Sequence, residues 1–316
     1  MKTKNENTLQ ATDKAVVVHE SAHLHVRGEA TYTDDIPELT GTLHAAVGFA
    51  ECAYGRIRAC DLGAVRSAPG VVAVLTAANI PGDNNCGPVV HDEPLLAEDS
   101  IQFYGQAVFL VVAQTRIQAR AAARLAHIDY DPAPPILTLE EAVAAESWVL
   151  PPMEFTKGDV DTAFVTAPHR LSGSLSVGGQ EHFYLEGQIA YAVPQEDASM
   201  HVYCSTQHPT EMQLLVAHAL DWAAHRVAVE CRRMGGGFGG KESQSAQWAC
   251  LAAVAANATG RPVKLRLDRD DDMSATGKRH GYVYDWQVAF DDDGVLKGLQ
   301  VTMRPIAAPA WICRVR

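Results

Sequence analysis

The chain of 316 residues has no apolar run approaching the ~20 residues needed to cross a bilayer, so a membrane-spanning helix is not its organising element. It is also short of positive charge. Lys and Arg number 26 against 38 Asp and Glu, a formal net charge of −12. That balance repels phosphate backbones and anionic lipid, so neither nucleic acid nor membrane is an expected partner. No Cys-x-x-Cys pair occurs among Cys52, Cys60, Cys86, Cys204, Cys231, Cys250 and Cys313. An odd, scattered set of thiols offers no disulfide framework, zinc site or iron–sulfur site, and reads as reduced packing residues. The opening MKTKNENTLQ lacks the apolar core of a secretory signal, which makes the cytoplasm the expected location. No internal repeat is present.

What remains is an ordinary globular composition, with 47% hydrophobic and 20% charged residues. A prior of roughly 150 residues per domain predicts two domains, each burying its own core. After a lead-in over 1–20, strand patterns at 43–50, 71–77 and 108–113 alternate with helical ones at 61–68 and 115–127. The runs VVAVLTA and VFLVVA read as fully buried strands. A first domain is thus predicted over 21–131 and a linker over 132–152, opened by DPAPP and containing a capping box at Thr138–Glu141. The part from 153 to 303 mixes strands (171–177, 227–233, 263–269) with helices at 210–220 and 245–259. It closes with a hairpin turning at Asp291–Gly294. The predicted class is α+β, a mixed α/β chain.

Residues 234–242 read Met-Gly-Gly-Gly-Phe-Gly-Gly-Lys-Glu between a strand and a helix. Five glycines in six residues let something bulky approach the backbone, or serve tight packing. The string also satisfies two phosphate-binding patterns, G-x-G-x-x-G and G-x-x-x-x-G-K. The second lacks the Ser or Thr that should follow Lys241, having Glu242 instead. The first lacks an acid about 20 residues on. A cluster of Glu181, His182 and Glu186 could suggest a metal, but neighbours in an extended segment point to opposite faces. Asp270–Asp272 with Lys278–His280 reads as a solvated loop of compensating charges.

MGGGFGGKES resembles the loop of molybdenum hydroxylases of the xanthine dehydrogenase and aldehyde oxidase family, in particular the molybdenum-binding large subunit of the bacterial xanthine dehydrogenases. HVRGEATYTDDIP (25–37), GQEHFYLEG (179–187), CSTQHPTEMQ (204–213), GRPVKLRLDRDDDM (260–273) and TGKRH (276–280) carry the same resemblance. It implies an α/β hammerhead domain followed by the first part of a molybdopterin-binding domain. It assigns Gln207, Phe238 and Gly239 to the cofactor, with Gln207 and Phe238 near molybdenum without ligating it. Glu242 matches the glutamate that binds a purine, and GQEHFYLEG lines the site.

The implied activity is hydroxylation of hypoxanthine and xanthine in purine catabolism. Electrons would pass to iron–sulfur centres and FAD on a small partner subunit. Alternatives are an aldehyde oxidase-type hydroxylase with another substrate, and a non-catalytic hammerhead scaffold. The resemblance ends at Met303, and the tail over 304–316, with two prolines and three arginines, is expected not to continue the preceding strand. The family's general base lies beyond that point, so no residue here is assigned as catalytic. The chain thus reads as truncated, inactive alone and unable to retain the cofactor, with apolar surface uncovered on VAVECRR and VKLRLDR.

Overall fold

A computed structural model describes residues 19–87 and 90–306. In chain order the elements are α1 (Ala22–Arg27), β1 (Leu43–Phe49), β2 (Gly55–Asp61), α2 (Gly63–Arg66), β3 (Val71–Thr76), β4 (Ser100–Ile101), β5 (Ala107–Ala113), α3 (Arg116–Ala123) and β6 (His127–Pro132). Two short helices follow, α4 (Leu139–Ala144) and α5 (Val160–Thr166). Then come β7 (His169–Val177), β8 (Ile189–Pro194), β9 (Met200–Cys204), α6 (Pro209–Leu220) and β10 (Val227–Glu230). The last elements are α7 (Ser245–Thr259), β11 (Val263–Arg266), α8 (Arg269–Ala275), β12 (Gly281–Phe290) and β13 (Leu296–Ile306). The class is α+β, as predicted.

The two halves share one core cluster and one sheet, while the first half also buries a smaller cluster of its own around Leu62, Phe109 and Val111. One seven-stranded sheet runs β10-β9-β8-β11-β1-β5-β3, joining strands from both sides of the expected boundary. β1 is the seam: it pairs parallel to β11, with Leu43 opposite Val263, and antiparallel to β5. Its sequence, LHAAVGF, is apolar on both faces and needs neighbours on both edges. β5, with AVFLVVA, is buried along its whole length. β3, expected to be buried, is instead the outermost strand, and only Leu75 in it is fully enclosed. Helix α7 is apolar all round and packs against β8, β11 and α6, so it is the centre of the core. α6 and α7 also cover β10 and β11, with Val227, Val263 and Leu265 enclosed. This corrects the expectation of uncovered apolar surface on those two strands.

The second sheet, β4-β2-β6, was not legible as strands. In β6 the inward Ile128 and Tyr130 alternate with charged residues, and the segment begins four residues after a strong helix. Pro132 therefore belongs to a strand, and the linker begins after it. Within the linker the capping box forms: the Glu141 N–H donates to Thr138 Oγ1 and the Thr138 N–H to the Glu141 carboxylate. The third sheet is β13-β12-β7. At its hairpin turn the Asp291 carboxylate accepts the N–H groups of Asp293 and Val295, and Gly294 takes φ 78°. β13 does not stop at Met303 but runs on to Ile306, with Pro305 opposite Tyr282 and Arg304 paired with Asp285. Proline is tolerated because β13 pairs with β12 alone and has a free edge. The rest of the tail, the lead-in over 1–18 and Cys313 lie outside the described residues. Among the described residues, no helix is long and apolar enough to cross a membrane.

Candidate active site

Leaving β10, the chain folds over residues 181–187 and 205–207 before entering α7, and its glycines are spent on that contact. A Cβ on Gly235 would sit 2.6 Å from Glu186 Cβ, and one on Gly240 would sit 2.8 Å from His182 Cγ and Tyr184 Cε1. A Cβ on Gly237 would sit 2.7 Å from Gln207 Oε1. Gly239 meets nothing closer than Glu242 Oε1 at 3.8 Å, but its φ of 84° is a conformation that side chains disfavour. Phe238 takes φ 53° without being glycine, and its ring is three-quarters exposed. Non-glycine residues held in that region are strained, which marks an over-determined loop.

Gln207 fixes the turn of the loop. Its backbone N–H donates to Lys241 O at 2.8 Å, and its side-chain Oε1 accepts from Gly239 N at 3.1 Å and Lys241 N at 3.2 Å. Two N–H donors on one atom identify that atom as the oxygen. The side-chain NH2 is left with no acceptor among the described residues. The amide N–H groups of Gly236, Gly237 and Phe238 share that condition. Glu242, half-buried, flanks the loop on the α7 side. Its charge acts on His182, whose pKa is lowered chiefly by burial and raised in part by Glu181. Gln207, about 30 residues upstream, is thus gathered with Phe238, Gly239 and Glu242 about one turn.

Beneath the turn lies a buried polar knot. Lys241, fully enclosed, donates from Nζ to Glu186 O at 2.6 Å and Ser205 Oγ at 2.8 Å, and approaches Glu186 Oε2 at 3.4 Å. It also lies 4.6 Å from the centre of the Tyr184 ring. Burial lowers the Lys241 pKa and the Glu186 charge opposes that shift. Because its ammonium is consumed inside the protein, Lys241 cannot serve a bound phosphate, and the P-loop reading fails. Glu186 Oε2 also accepts from Ser205 Oγ at 2.6 Å and Gly235 N at 2.8 Å.

A second layer joins Asp272, which accepts from Tyr184 Oη at 2.7 Å and Gln188 N at 2.9 Å, while Gln188 Nε2 donates to Gly240 O. Burial, with the Asp272 charge beside it, pushes the Tyr184 pKa far up. The solvated acidic loop expected at 270–272 is instead helix α8, and Asp272 is enclosed in this layer. The expected balancing cations go elsewhere: Lys278 pairs with Glu181, and the Arg279 guanidinium donates to Gly178 O. Residues 181–187 form no strand, and Glu181, His182 and Glu186 each turn to a different partner. Sequence reasoning placed Glu186 only within a lining segment, with no role of its own, and missed Gln188, Asp272 and the buried role of Lys241. The only available signal was the density of polar residues in GQEHFYLEG and the lysine closing a glycine run.

The family called aldehyde oxidase and xanthine dehydrogenase, a/b hammerhead domain, matches residues 27–134, and the molybdopterin cofactor-binding domain matches residues 143–306. The chain belongs to the aldehyde oxidase and xanthine dehydrogenase family. It is 43% identical over 289 residues to xanthine dehydrogenase of Oryza sativa subsp. japonica, spanning 90% of this chain and 21% of that protein. Identity is 39% over 287 residues to xanthine dehydrogenase/oxidase of Gallus gallus, with the same shares. It is also 39% to aldehyde oxidase 2 of Cavia porcellus, again spanning 90% of this chain and 21% of that one. Among solved structures, aldehyde oxidoreductase from Desulfovibrio gigas superposes with a TM-score of 0.82 at 26% identity, covering 90% of this chain and 34% of that one. Quinoline 2-oxidoreductase from Pseudomonas putida 86 gives 0.79 at 24%, covering 91% and 38%, and shows the fold alone. The fold is accordingly a hammerhead domain followed by the start of a molybdopterin-binding domain, with their strands shared in one sheet.

The residues present fit a molybdenum cofactor. The amides of Gly236, Gly237 and Phe238 and the Gln207 NH2 have no acceptor among the described residues, and such free donors suit an anionic or oxo-bearing group. Gly237 leaves room for the Gln207 amide, which a Cβ there would meet at 2.7 Å.

Proposed function

We propose that this chain forms one wall of a molybdenum hydroxylase site acting on a purine, with hypoxanthine and xanthine as substrates. The observation that carries the reading is the turn at 235–241, held from below through Gly235, Gly239 and Lys241 while the amides of Gly236, Gly237 and Phe238 and the Gln207 NH2 make no hydrogen bond among the described residues. When bound, the molybdenum cofactor supplies the two-electron oxidation and oxygen transfer of a ring hydroxylation. Gln207 would donate a hydrogen bond toward it without competing for the metal, and the Phe238–Gly239 backbone would be the part of the loop that holds it. Glu242, flanking the same turn, binds a purine N–H through its carboxylate. A pocket acid that pairs with a substrate atom discriminates strongly, because an analogue lacking that atom leaves the acid unpaired. Iron–sulfur centres and FAD on a partner subunit, which the family resemblance implies, would take up the electrons.

The match to aldehyde oxidase 2 supports a second reading, an aldehyde substrate. Glu242→Gln in the full-length protein separates the two. Loss of one charged hydrogen bond should lower kcat/KM for xanthine roughly 10- to 150-fold more than for a simple aldehyde. Equal losses on both substrates would contradict the purine assignment.

A further inference from the structure

Glu186 touches both ends of the glycine loop. At the loop's start its Oε2 accepts the Gly235 N–H at 2.8 Å, and its own backbone N–H donates to Gly235 O at 3.2 Å. At the loop's end Lys241 Nζ reaches its backbone carbonyl at 2.6 Å and its carboxylate at 3.4 Å. Ser205 Oγ closes the triangle, donating to Glu186 Oε2 and accepting from Lys241. All three side chains are nine-tenths or more buried. Ser205 stands two residues before Gln207, whose Oε1 holds the middle of the loop through Gly239 and Lys241. The same lysine therefore belongs to both attachments: its ammonium to Glu186, its backbone to Gln207.

From this we infer that Glu186 is a positioning residue: through Lys241 and Ser205 it sets the orientation of the Gln207 amide and the Phe238–Gly239 turn, without itself touching substrate or cofactor. The inference rests on the proposed cofactor-facing role of Gln207 and that turn. A buried ion pair contributes little net stability over an apolar replacement, yet breaking one partner is costly, so the pair is best understood as fixing a geometry. Glu186 Oε1 is buried with no partner among the described residues, so the carboxylate has not been arranged to maximise its own bonding. Its placement serves the bonds made by the other oxygen.

The test is residue-resolved amide hydrogen exchange on the chain, comparing Glu186→Gln, Lys241→Met, the double variant, and Ser205→Ala. Glu186→Gln keeps the shape and the acceptor but leaves Lys241 without a counter-charge. It should speed exchange of the backbone amides of Gly239 and Lys241, which donate to Gln207 and not to Glu186, by about tenfold or more, with α7 unchanged. The double variant, neutral at both positions, should restore protection, and Ser205→Ala should give a smaller change in the same direction. Faster exchange confined to Gly235, or a double variant worse than either single one, would overturn the inference. If a single variant does not fold, the double variant and Ser205→Ala still decide it.

Molybdenum content of the same variants in the full-length protein keeps the two proposals apart. Coupled exchange with unchanged metal content would leave the positioning role standing and count against the cofactor role of the turn. Loss of metal with no change at Gly239 would count against positioning by Glu186.

Discussion

The apolar core around α7 and the polar knot under the glycine loop are buried to a similar depth and are held by opposite means. Around α7, Ala, Val, Leu and Trp248 fill space between sheet and helix, and no single contact is indispensable to direction. Under the loop, Glu186, Lys241, Ser205, Gln188 and Asp272 meet through directed hydrogen bonds, each fixing the next. Packing supplies stability and tolerates exchange of one hydrophobic residue for another of similar volume. A polar network supplies orientation and tolerates almost nothing short of replacement of both partners. The proposed site is built on the second kind of region.

Substitution should expose that contrast. Lys241→Met leaves the buried Glu186 carboxylate without its cation and should cost about 3–5 kcal/mol in thermal or denaturant unfolding, most of it regained in Lys241→Met/Glu186→Gln. In the core, Leu110→Ala should cost about 2–5 kcal/mol, with no partner substitution nearby that recovers it short of refilling the cavity. Equal recovery in both regions, or none in either, would erase the distinction between directed bonding and packing.

A smaller effect concerns pH. Burial holds the folded His182 pKa below its ordinary 6.5, with Lys278 adding to the shift and Glu181 opposing it. The unfolded chain then binds the proton more readily than the folded one. Stability from this site is fully present above pH 6.5 and is lost as pH falls through the folded value. His182→Asn should flatten that acid-side loss in unfolding midpoints measured from pH 7 downward. An unchanged slope would assign the acid sensitivity to other groups, His280 among them, whose pKa burial also lowers.

The contrast also explains what could be read from sequence. Helix α7, strand β5 and the β12–β13 hairpin announce themselves through apolar periodicity, continuous apolar runs and turn chemistry, because those patterns are the cause of their burial. β6 escapes because charged residues interrupt its inward Ile128 and Tyr130, and its pairing partner β2 is about 70 residues away. The sharing of one sheet by both halves escapes as well, since the β1–β11 seam depends on tertiary pairing. At the site, the loop and its four assigned residues were visible as a motif. The reason for its glycines was not. Gly237 is needed because Gln207 stands against it, and Gly235 because Glu186 does, which no one-dimensional pattern reveals. Asp272, read as solvated from its acidic neighbours, is enclosed because Tyr184 and Gln188 donate to it from 84 to 88 positions away.

The central claim is that the turn is held so that the Gln207 amide faces the cofactor, and Gly237→Ala tests it most directly. The added Cβ would stand 2.7 Å from Gln207 Oε1 and 2.9 Å from its Cδ, so it must displace that amide while leaving Glu186 and Lys241 in place. In the full-length protein, metal analysis of this variant should show molybdenum content and turnover both sharply reduced, with an unfolding midpoint close to that of the unaltered protein. Full molybdenum content and full turnover with Ala at that position would contradict the account, leaving the loop as a packing turn and Gln207 as its strut.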